Sequence, residues 1–198
     1  MNTPNKLTVA RIIATPFFMA AMLISFPCHY LVSLLLFIAA SLTDMIDGKL
    51  ARKYNLVTDF GKFLDPLADK MLTTAAFLGF LSVYSKENFA VYGWQITAIV
   101  FIVMFREFMI ASLRLVTVSS GGKVVAANMW GKAKTVSQML GIVFALFAFT
   151  LVYDFGIAAL KPVFDIIIFV IFWASAVLCV ISGLIYLNGC KGYINSSK

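Results

Sequence analysis

Long stretches without charge dominate the hydrophobic pattern of this chain. No Asp, Glu, Lys or Arg occurs in residues 12–43, 71–85, 88–105, 135–153 or 166–190. A helix needs about 20 mostly apolar residues to cross a hydrocarbon core of about 30 Å, and the first stretch is long enough for two helices that separate near Pro27. The pattern therefore predicts an all-α integral membrane protein with six transmembrane helices, over residues 8–26, 31–52, 60–84, 91–118, 129–153 and 160–188.

Composition narrows the class of protein further. Hydrophobic residues make up 62% of the 198 residues and charged residues only 13%, which excludes a disordered chain and an ordinary water-soluble enzyme. We expect one membrane domain over residues 1–198, with residues 1–7 as an interfacial N-terminal segment. The three cysteines lack the spacing of a disulfide framework or a metal site, so free thiols are expected.

The distribution of Lys and Arg predicts the orientation in the membrane. Six spans put both termini on one side, and fourteen of the sixteen basic residues fall at the helix ends and loops of that side, with only Lys86 and Lys161 opposite. Because basic residues concentrate in cytoplasmic loops, we predict a multi-pass protein of the cell membrane with both termini in the cytoplasm. This topology explains the net charge of +7, and no nucleic-acid partner is expected.

Four aspartates at the predicted cytoplasmic ends of helices 2 and 3 are the most informative residues. Successive residues of a helix are about 100° apart around its axis. On helix 2, an arc of about 140° contains Asp44, Asp47, Gly48, Ala51 and Arg52. On helix 3, an arc of about 80° contains Gly61, Asp65 and Asp69. The connection between the helices is short, which predicts antiparallel neighbours whose acidic faces meet in a polar cavity facing the cytoplasm.

Four converging carboxylates cannot all remain ionised without a counter-charge. Bound divalent cations would supply that charge, and ligands that are all oxygens suit Mg²⁺ or Mn²⁺. Two metal ions about 3.5–4 Å apart are an established arrangement for in-line displacement at phosphorus. The acidic faces therefore predict a site for metal-assisted chemistry on a phosphate.

Three different roles remain open for these acids. They can pair with neighbouring lysines as solvated charges, although Lys62 and Lys70 fall mostly off the acidic face. Asp65 can serve as an N-cap before Pro66. A divalent-cation transporter would also have aspartates between its helices, but it would carry them at mid-membrane depth, and all four cluster at one end here.

The pattern D-x₂-D-G-x₂-A-R-x₈-G-x₃-D-x₃-D, which runs from Asp44 to Asp69, resembles the signature of the CDP-alcohol phosphotransferase family at all eight fixed positions. The resemblance implies six transmembrane helices, a site that faces the cytoplasm and usually a homodimer. It also implies transfer of a phosphatidyl group from CDP-diacylglycerol to an alcohol, with release of CMP. The fixed glycines and arginine argue against a membrane prenyltransferase, which also binds a diphosphate through aspartate-held Mg²⁺.

The resemblance also implies a role for each matched residue. Two metal ions per site, Mg²⁺ or Mn²⁺, would be held by the carboxylates, the first by Asp44, Asp47 and Asp65 and the second by Asp65 and Asp69. Asp69 would be the general base that accepts the proton of the acceptor hydroxyl before a single in-line displacement. Contacts to the cytidine diphosphate would come from Gly48, Arg52 and Gly61. Asn5 and Thr8 are further candidates for polar contacts to the nucleotide, with ordinary helix capping as the alternative.

Polar residues of predicted helices 4 and 5 indicate the kind of alcohol. Together they form a candidate acceptor pocket: Arg106, Arg114, Lys132, Lys134, Thr135 and Gln138. Guanidinium and ammonium groups make charge-assisted hydrogen bonds to phosphate, so we expect an acceptor that itself carries phosphate. The alternative for these cations is anchoring to anionic headgroups, and Glu107 offers Arg106 a structural ion pair.

The opening segment Pro4-Asn5-Lys6-Leu7-Thr8-Val9-Ala10-Arg11, the Arg106-Glu107 pair and residues 131–135 resemble the bacterial branch of this family that uses sn-glycerol 3-phosphate. This likeness spans nearly the whole chain, but each segment is less specific than the aspartate pattern. It implies phosphatidylglycerol phosphate as the product. Charge alone does not exclude an inositol phosphate, which remains the alternative acceptor.

Overall fold

The computed structural model describes residues 2–53, 59–119 and 129–195, and these ranges form six long α-helices. In chain order they are α1 (Thr3–Leu23), α2 (His29–Lys53), α3 (Asp59–Glu87), α4 (Trp94–Ser119), α5 (Met129–Phe149) and α6 (Lys161–Asn195). Short π-helical turns adjoin α4 and α5, and a 3₁₀ turn precedes α6: Phe89–Gly93, Thr150–Asp154 and Ala158–Leu160. No β-strand occurs in the described ranges, which confirms the predicted all-α class.

Among the residues that the structure describes, four helical stretches are long and apolar enough to cross a membrane: Asn5–Leu23, Phe89–Arg114, Met129–Asp154 and Ala158–Cys190. Within the described side chains of α2, the apolar part is shorter, His29–Asp44. The apolar part of α3 starts only after Lys70, because its first turns carry charges. These helices are those of a multi-pass membrane protein.

The first and last helices of the chain extend beyond their predicted bounds. Helix α1 begins at Thr3 rather than at residue 8, and a proline in its first turn suits that start because an N–H is not needed there. The segment predicted as an N-terminal lead-in is therefore largely continuous with α1. At the other end, α6 continues to Asn195 rather than stopping at residue 188.

Helix α1 packs against both α2 and α3, whereas α2 and α3 make few direct contacts with each other within the described ranges. The segments in which the two acidic faces are predicted to meet lie mostly outside the described side chains, so direct packing of α2 against α3 stays a prediction. In α1, positions three and four apart form one buried stripe: Thr8, Arg11, Thr15, Phe18 and Met22. Helix α1 thus buries one face against both α2 and α3.

Aromatic side chains fill the middle of the bundle. Phe77, Phe80, Phe149 and Phe172 are at most 2% exposed. The ring of Phe80 lies 5.6 Å from that of Phe149 and 5.5 Å from that of Phe172, as centroid distances. Tilted and edge-on pairs of this kind bury large apolar areas, and they join α3, α5 and α6 into one core.

The bundle end that carries His29 is closed by polar contacts between helices. The buried carboxylate of Asp165 accepts hydrogen bonds from the Tyr84 hydroxyl at 3.0 Å and from the Lys161 ammonium at 2.7 Å. Lys161 also bonds Glu87 at 2.8 Å. These contacts connect α3 to α6 at the end of the molecule opposite to the aspartate pattern.

Candidate active site

A polar cavity of about 430 Å³ opens where α2 and α4 approach their C-terminal ends and α3 and α5 begin. Its lining residues are Asp44, Asp65, Pro66, Asp69, Lys70, Thr73, Arg106, Glu107, Arg114, Gly131, Lys134, Thr135 and Gln138. Three predicted metal ligands and five predicted acceptor residues therefore surround one space. The three aspartates come from α2 and α3, Glu107 comes from α4, and most of the cations come from α4 and α5.

Two of the carboxylates are held by side chains of α1. The buried guanidinium of Arg11 forms an ion pair with Asp44, and the hydroxyl of Thr8 donates a hydrogen bond to Asp65 Oδ1 at 2.8 Å. Asp65 is exposed, and 42% of the Asp44 side chain is exposed. Helix α1 thus orients both acids at the cavity wall and leaves much of each carboxylate accessible.

Helix α3 begins at Asp59 and passes through Pro66, so Asp65 is inside the helix and is not its N-cap. Asn5 and Thr8 are likewise inside α1, whose N-cap is Asn2. The helix-capping role considered for these three residues is therefore wrong. Both α1 residues are buried, and neither lines the cavity.

The donor chemistry around the cavity fits a divalent cation. Asp44, Asp65 and Asp69 all contribute carboxylate oxygens to its lining, and such ligands suit Mg²⁺ or Mn²⁺. Within the described residues, no three acidic, histidine or cysteine side chains lie close enough together to form a complete metal site. The side chains of Asp47, Gly48 and Arg52 are outside the described part of the chain, and Gly61 is buried.

The cationic side of the cavity is organised around Glu107. Its Oε1 bonds the ammonium of Lys134 and, at 3.0 Å, Nη1 of Arg106, while its Oε2 lies 3.4 Å from Nζ of Lys70. The structural ion pair considered for Arg106 is thus present, and Arg106 still lines the cavity. Gln138 is buried, and its amide points to Cys179 Sγ at 3.7 Å.

The predicted acceptor residues differ in their relation to the cavity. Arg114 and Thr135 line it and are exposed, and the Thr135 hydroxyl bonds the Gly131 carbonyl at 3.1 Å. Lys132 is exposed but is not among the lining residues. Its neighbour Lys134, two positions along α5, turns inward and is buried, as helical geometry requires for residues about 200° apart.

Sequence reasoning gave no site role to three charged residues that the structure brings to this region. Lys70 and Glu107 line the cavity, and Arg11 reaches it through Asp44. The signal for Arg11 was present in the sequence, because Thr8, Arg11 and Thr15 share one face of α1 with buried apolar residues. For Glu107 the signal was an acid beside Arg106 in an otherwise apolar helix.

Comparison with known proteins agrees with this geometry. The family model described as CDP-alcohol phosphatidyltransferase matches residues 1–183. The chain belongs to this family. Family membership confirms the resemblance carried by the aspartate pattern, and the family is generally dependent on a divalent metal ion.

Curated relatives of this chain carry one name, CDP-diacylglycerol–glycerol-3-phosphate 3-phosphatidyltransferase. The protein of Bacillus subtilis is 45% identical over 153 residues, which cover 71% of this chain and 74% of the relative. The protein of Rickettsia bellii is 36% identical over 197 residues, 97% of each chain. That of Salmonella typhimurium is 34% identical over 192 residues, 96% of each chain. The similarity thus extends over nearly the whole chain.

Proposed function

We propose that this protein transfers the phosphatidyl group of CDP-diacylglycerol to sn-glycerol 3-phosphate, forming phosphatidylglycerol phosphate and releasing CMP. The observation that carries the proposal is one cavity in which carboxylates of α2 and α3 face cations of α4 and α5. Such a cavity has one wall suited to a metal-bound diphosphate and another suited to a phosphorylated alcohol. The names of the curated relatives support the same reaction.

The charge around the cavity favours an acceptor with two negative charges. Its described lining holds four cationic and four acidic side chains, so their formal charges cancel: Lys70, Arg106, Arg114 and Lys134 against Asp44, Asp65, Asp69 and Glu107. Two divalent ions would add four positive charges, and a diphosphate diester with a phosphate monoester brings about four negative charges. An uncharged alcohol would leave about two positive charges unbalanced. Inositol phosphate would satisfy the same balance and remains the alternative.

We assign the metal site to Asp44, Asp47, Asp65 and Asp69, with two ions of Mg²⁺ or Mn²⁺. When bound, the ions neutralise phosphate oxygens and stabilise the CMP leaving group. Gly48, Arg52 and Gly61 are proposed to contact the cytidine diphosphate, as the family resemblance implies. Asn5 is proposed to do so as well, and Thr8 supports this site through its hydrogen bond to Asp65.

Asp69 is proposed as the general base. Its position in the lining of the cavity supports contact with an acceptor hydroxyl. Asp69 accepts the hydroxyl proton, the acceptor oxygen forms a bond to the phosphorus that bears diacylglycerol, and the bond from that phosphorus to the CMP oxygen breaks. Much of the rate enhancement comes from positioning and from charge neutralisation.

The acyl chains of CDP-diacylglycerol are proposed to lie along an apolar groove between α1 and α3. The groove has a volume of about 610 Å³ and is lined almost entirely by apolar atoms: Ile12, Ile13, Thr15, Pro16, Phe17, Met19, Met71, Thr74, Ala75 and Leu78. It starts one turn beyond Thr8 and Asp65, whose hydrogen bond joins the same two helices. A lipid here keeps its diphosphate at the carboxylates and its chains in the bilayer.

The organisation of the molecule in the membrane also belongs to this proposal. The cavity opens to the cytoplasm, both termini lie on that side, residues 1–198 form one domain, and the active unit is a homodimer. The distribution of basic residues supports the orientation, and the family resemblance supports the dimer.

The proposal is tested by supplying purified protein with CDP-diacylglycerol, Mg²⁺ and one alcohol at a time, and measuring CMP. The alcohols are glycerol 3-phosphate, inositol phosphate, glycerol, inositol and serine. Release of CMP is expected with glycerol 3-phosphate and not with the three alcohols that lack a phosphate. Faster release with inositol phosphate would replace the acceptor, and no release with any alcohol would contradict the proposed function.

The general base is tested with Asp69→Asn. Loss of a positioned base is expected to lower kcat by about 10²–10⁴-fold, measured as CMP release at saturating concentrations of both substrates. The matched control is Asp154→Asn, because Asp154 bonds the Leu31 amide at 2.8 Å, at the end of the bundle that carries His29. If Asp69→Asn keeps near-normal turnover, the base assignment is wrong, although the family assignment survives.

A further inference from the structure

Glu107 contacts cationic side chains from three different helices. It bonds Arg106 on its own helix α4, Lys134 on α5 and Lys70 on α3. The side chain of Glu107 is 13% exposed and that of Lys134 is 7% exposed, whereas Lys70 is 34% exposed. Glu107 is therefore a nearly buried anion shared by three cations at the cavity wall.

The two carboxylate oxygens of Glu107 divide these partners between them. Oε1 accepts hydrogen bonds from both Arg106 and Lys134, so a guanidinium and an ammonium contact the same oxygen. Oε2 takes the more exposed Lys70. The attraction of both cations to the carboxylate offsets the repulsion between them. The position of Arg106 relative to Lys134 therefore depends on Glu107.

Arg106 is held from a second direction as well. Its Nη2 donates a hydrogen bond to Ser182 Oγ at 3.0 Å, and the Ser182 hydroxyl donates to the Cys179 carbonyl at 3.2 Å. The guanidinium is thus fixed between α4 and α6 before any ligand is present. A phosphate-binding group that is already oriented loses less conformational freedom when the phosphate arrives.

We propose that Glu107 is a positioning residue for the acceptor phosphate. It holds Arg106 and Lys134 side by side, so that their remaining N–H groups meet the phosphate of the acceptor as one preformed site. The inference rests on the proposed function, because it presumes that these cations bind a phosphorylated alcohol. Glu107 itself repels a phosphate and makes no bond to it, and it acts only through the two cations.

The decisive variant is the double substitution Lys70→Met with Glu107→Gln. It removes the Lys70 ammonium together with the bridging carboxylate, so the net charge of the cavity stays that of the wild type. The single substitution Lys70→Met shows the effect of the lysine alone. Compared with Lys70→Met, the double variant is expected to have a KM for glycerol 3-phosphate that is about tenfold higher. A rise of this size is expected when a ligand-binding group is displaced by less than about 1 Å. The KM for CDP-diacylglycerol is expected to stay within about twofold of its wild-type value.

Inorganic phosphate provides a probe that does not depend on turnover of the acceptor. It is expected to inhibit competitively with glycerol 3-phosphate, and its inhibition constant should rise by the same factor in the double variant. A purely structural role for Glu107 would lower the fraction of active protein, and hence kcat, with both constants unchanged. Unchanged constants in the folded double variant would overturn the inference.

Two further variants keep the test decisive if the double variant does not fold. Glu107→Asp keeps the charge but is one methylene shorter, so it cannot reach all three cations, and a several-fold rise in the KM for glycerol 3-phosphate is expected. A KM equal to the wild-type value in this variant would also overturn the inference. Glu87→Gln is the matched control, because Glu87 is paired with Lys161 at the opposite end, and its constants should not change.

The wild-type protein separates failure of this inference from failure of the proposed function. If the wild type does not release CMP with glycerol 3-phosphate, the proposed function itself is wrong. If the wild type does so and the Glu107 variants bind acceptor and phosphate normally, only the positioning role is wrong.

Discussion

Arg11 shows how one residue connects the packing of the bundle to its chemistry. Its side chain is 1% exposed, and its guanidinium meets Asp44 on α2 across a separation of 33 residues. A buried cation is costly unless it is paired, so α1 is held in register with the acidic wall. One turn earlier on the same face, Thr8 makes the equivalent connection to Asp65 on α3.

Arg11→Met is therefore expected to destabilise the protein as well as inactivate it. The substitution keeps much of the side-chain volume but leaves Asp44 without this partner, and breaking a buried ion pair costs about 3–5 kcal/mol. Because much of Asp44 is exposed to solvent, we expect the lower part of that range or less, about 2–3 kcal/mol. Thermal unfolding in detergent, followed by intrinsic fluorescence, measures the change.

Lys6→Met is the matched control for Arg11, because Lys6 is an exposed cation on the same helix. It should leave the melting temperature within about 1 °C of the wild-type value, since exposed ion pairs contribute about 0–1 kcal/mol. Equal melting temperatures for the two variants would show that the Arg11–Asp44 pair does not stabilise the bundle.

At the scale of elements, the close approach of α5 and α6 depends on Gly141. A Cβ atom at this position would lie 2.9 Å from Ile171 Cγ2 and 3.0 Å from Phe172 Cε1. Phe172 is fully buried, and the branched side chain of Ile171 is stiff at its first torsion, so neither neighbour can move aside freely. Small residues at such contacts let helix backbones approach closely in membranes.

Gly141→Ala is accordingly expected to lower stability by about 1–2 kcal/mol through overpacking, even though alanine favours a helix. Gly183→Ala is the matched control, because its nearest neighbour is Met109 Cε at 3.2 Å, the end of a flexible side chain that can turn away. Thermal unfolding of both variants in the same detergent measures the difference. A Gly141 variant as stable as the Gly183 variant would contradict tight packing between α5 and α6.

At the scale of the whole molecule, the two ends of the bundle have different chemistry. One end has the cavity with its acids and cations, and the other is closed by the contacts of Asp165 with Tyr84 and Lys161. Cys28 lies at this closed end and is exposed, whereas Cys179 and Cys190 are buried. The chain therefore carries a natural reporter of its own orientation.

We expect a maleimide that cannot cross membranes to label Cys28 in intact cells. The predicted topology puts Cys28 on the outer side, and only an exposed thiol reacts at a useful rate. Cys28→Ser should abolish the labelling, which is measured by the shift of the protein on a gel. In the same background, a cysteine introduced by Lys6→Cys should react only after the membrane is permeabilised. The reverse pattern would contradict a cytoplasmic N-terminus.

Much of the fold and part of the site could be predicted from local patterns. The charge-free runs determined the number and approximate bounds of the helices, because a backbone in lipid must satisfy its own hydrogen bonds and forms helices there. Helical spacing brought Asp65 and Asp69 to one wall, and both line the cavity with Asp44. Helical spacing also puts Lys132 and Lys134 about 200° apart, but only the structure showed that Lys134 is the buried one and Lys132 the exposed one.

Only the tertiary structure decided which helices touch and which charges meet. It put α1 against both α2 and α3, paired Arg11 with Asp44, and made Glu107 the shared partner of Lys70, Arg106 and Lys134. The number of helices, and which residues share a face of one helix, depend on residues a few positions apart, so they can be inferred from the sequence. The pairings depend on how α1 to α5 pack together, and this packing is determined by the complementary shapes and charges of residues far apart in the chain.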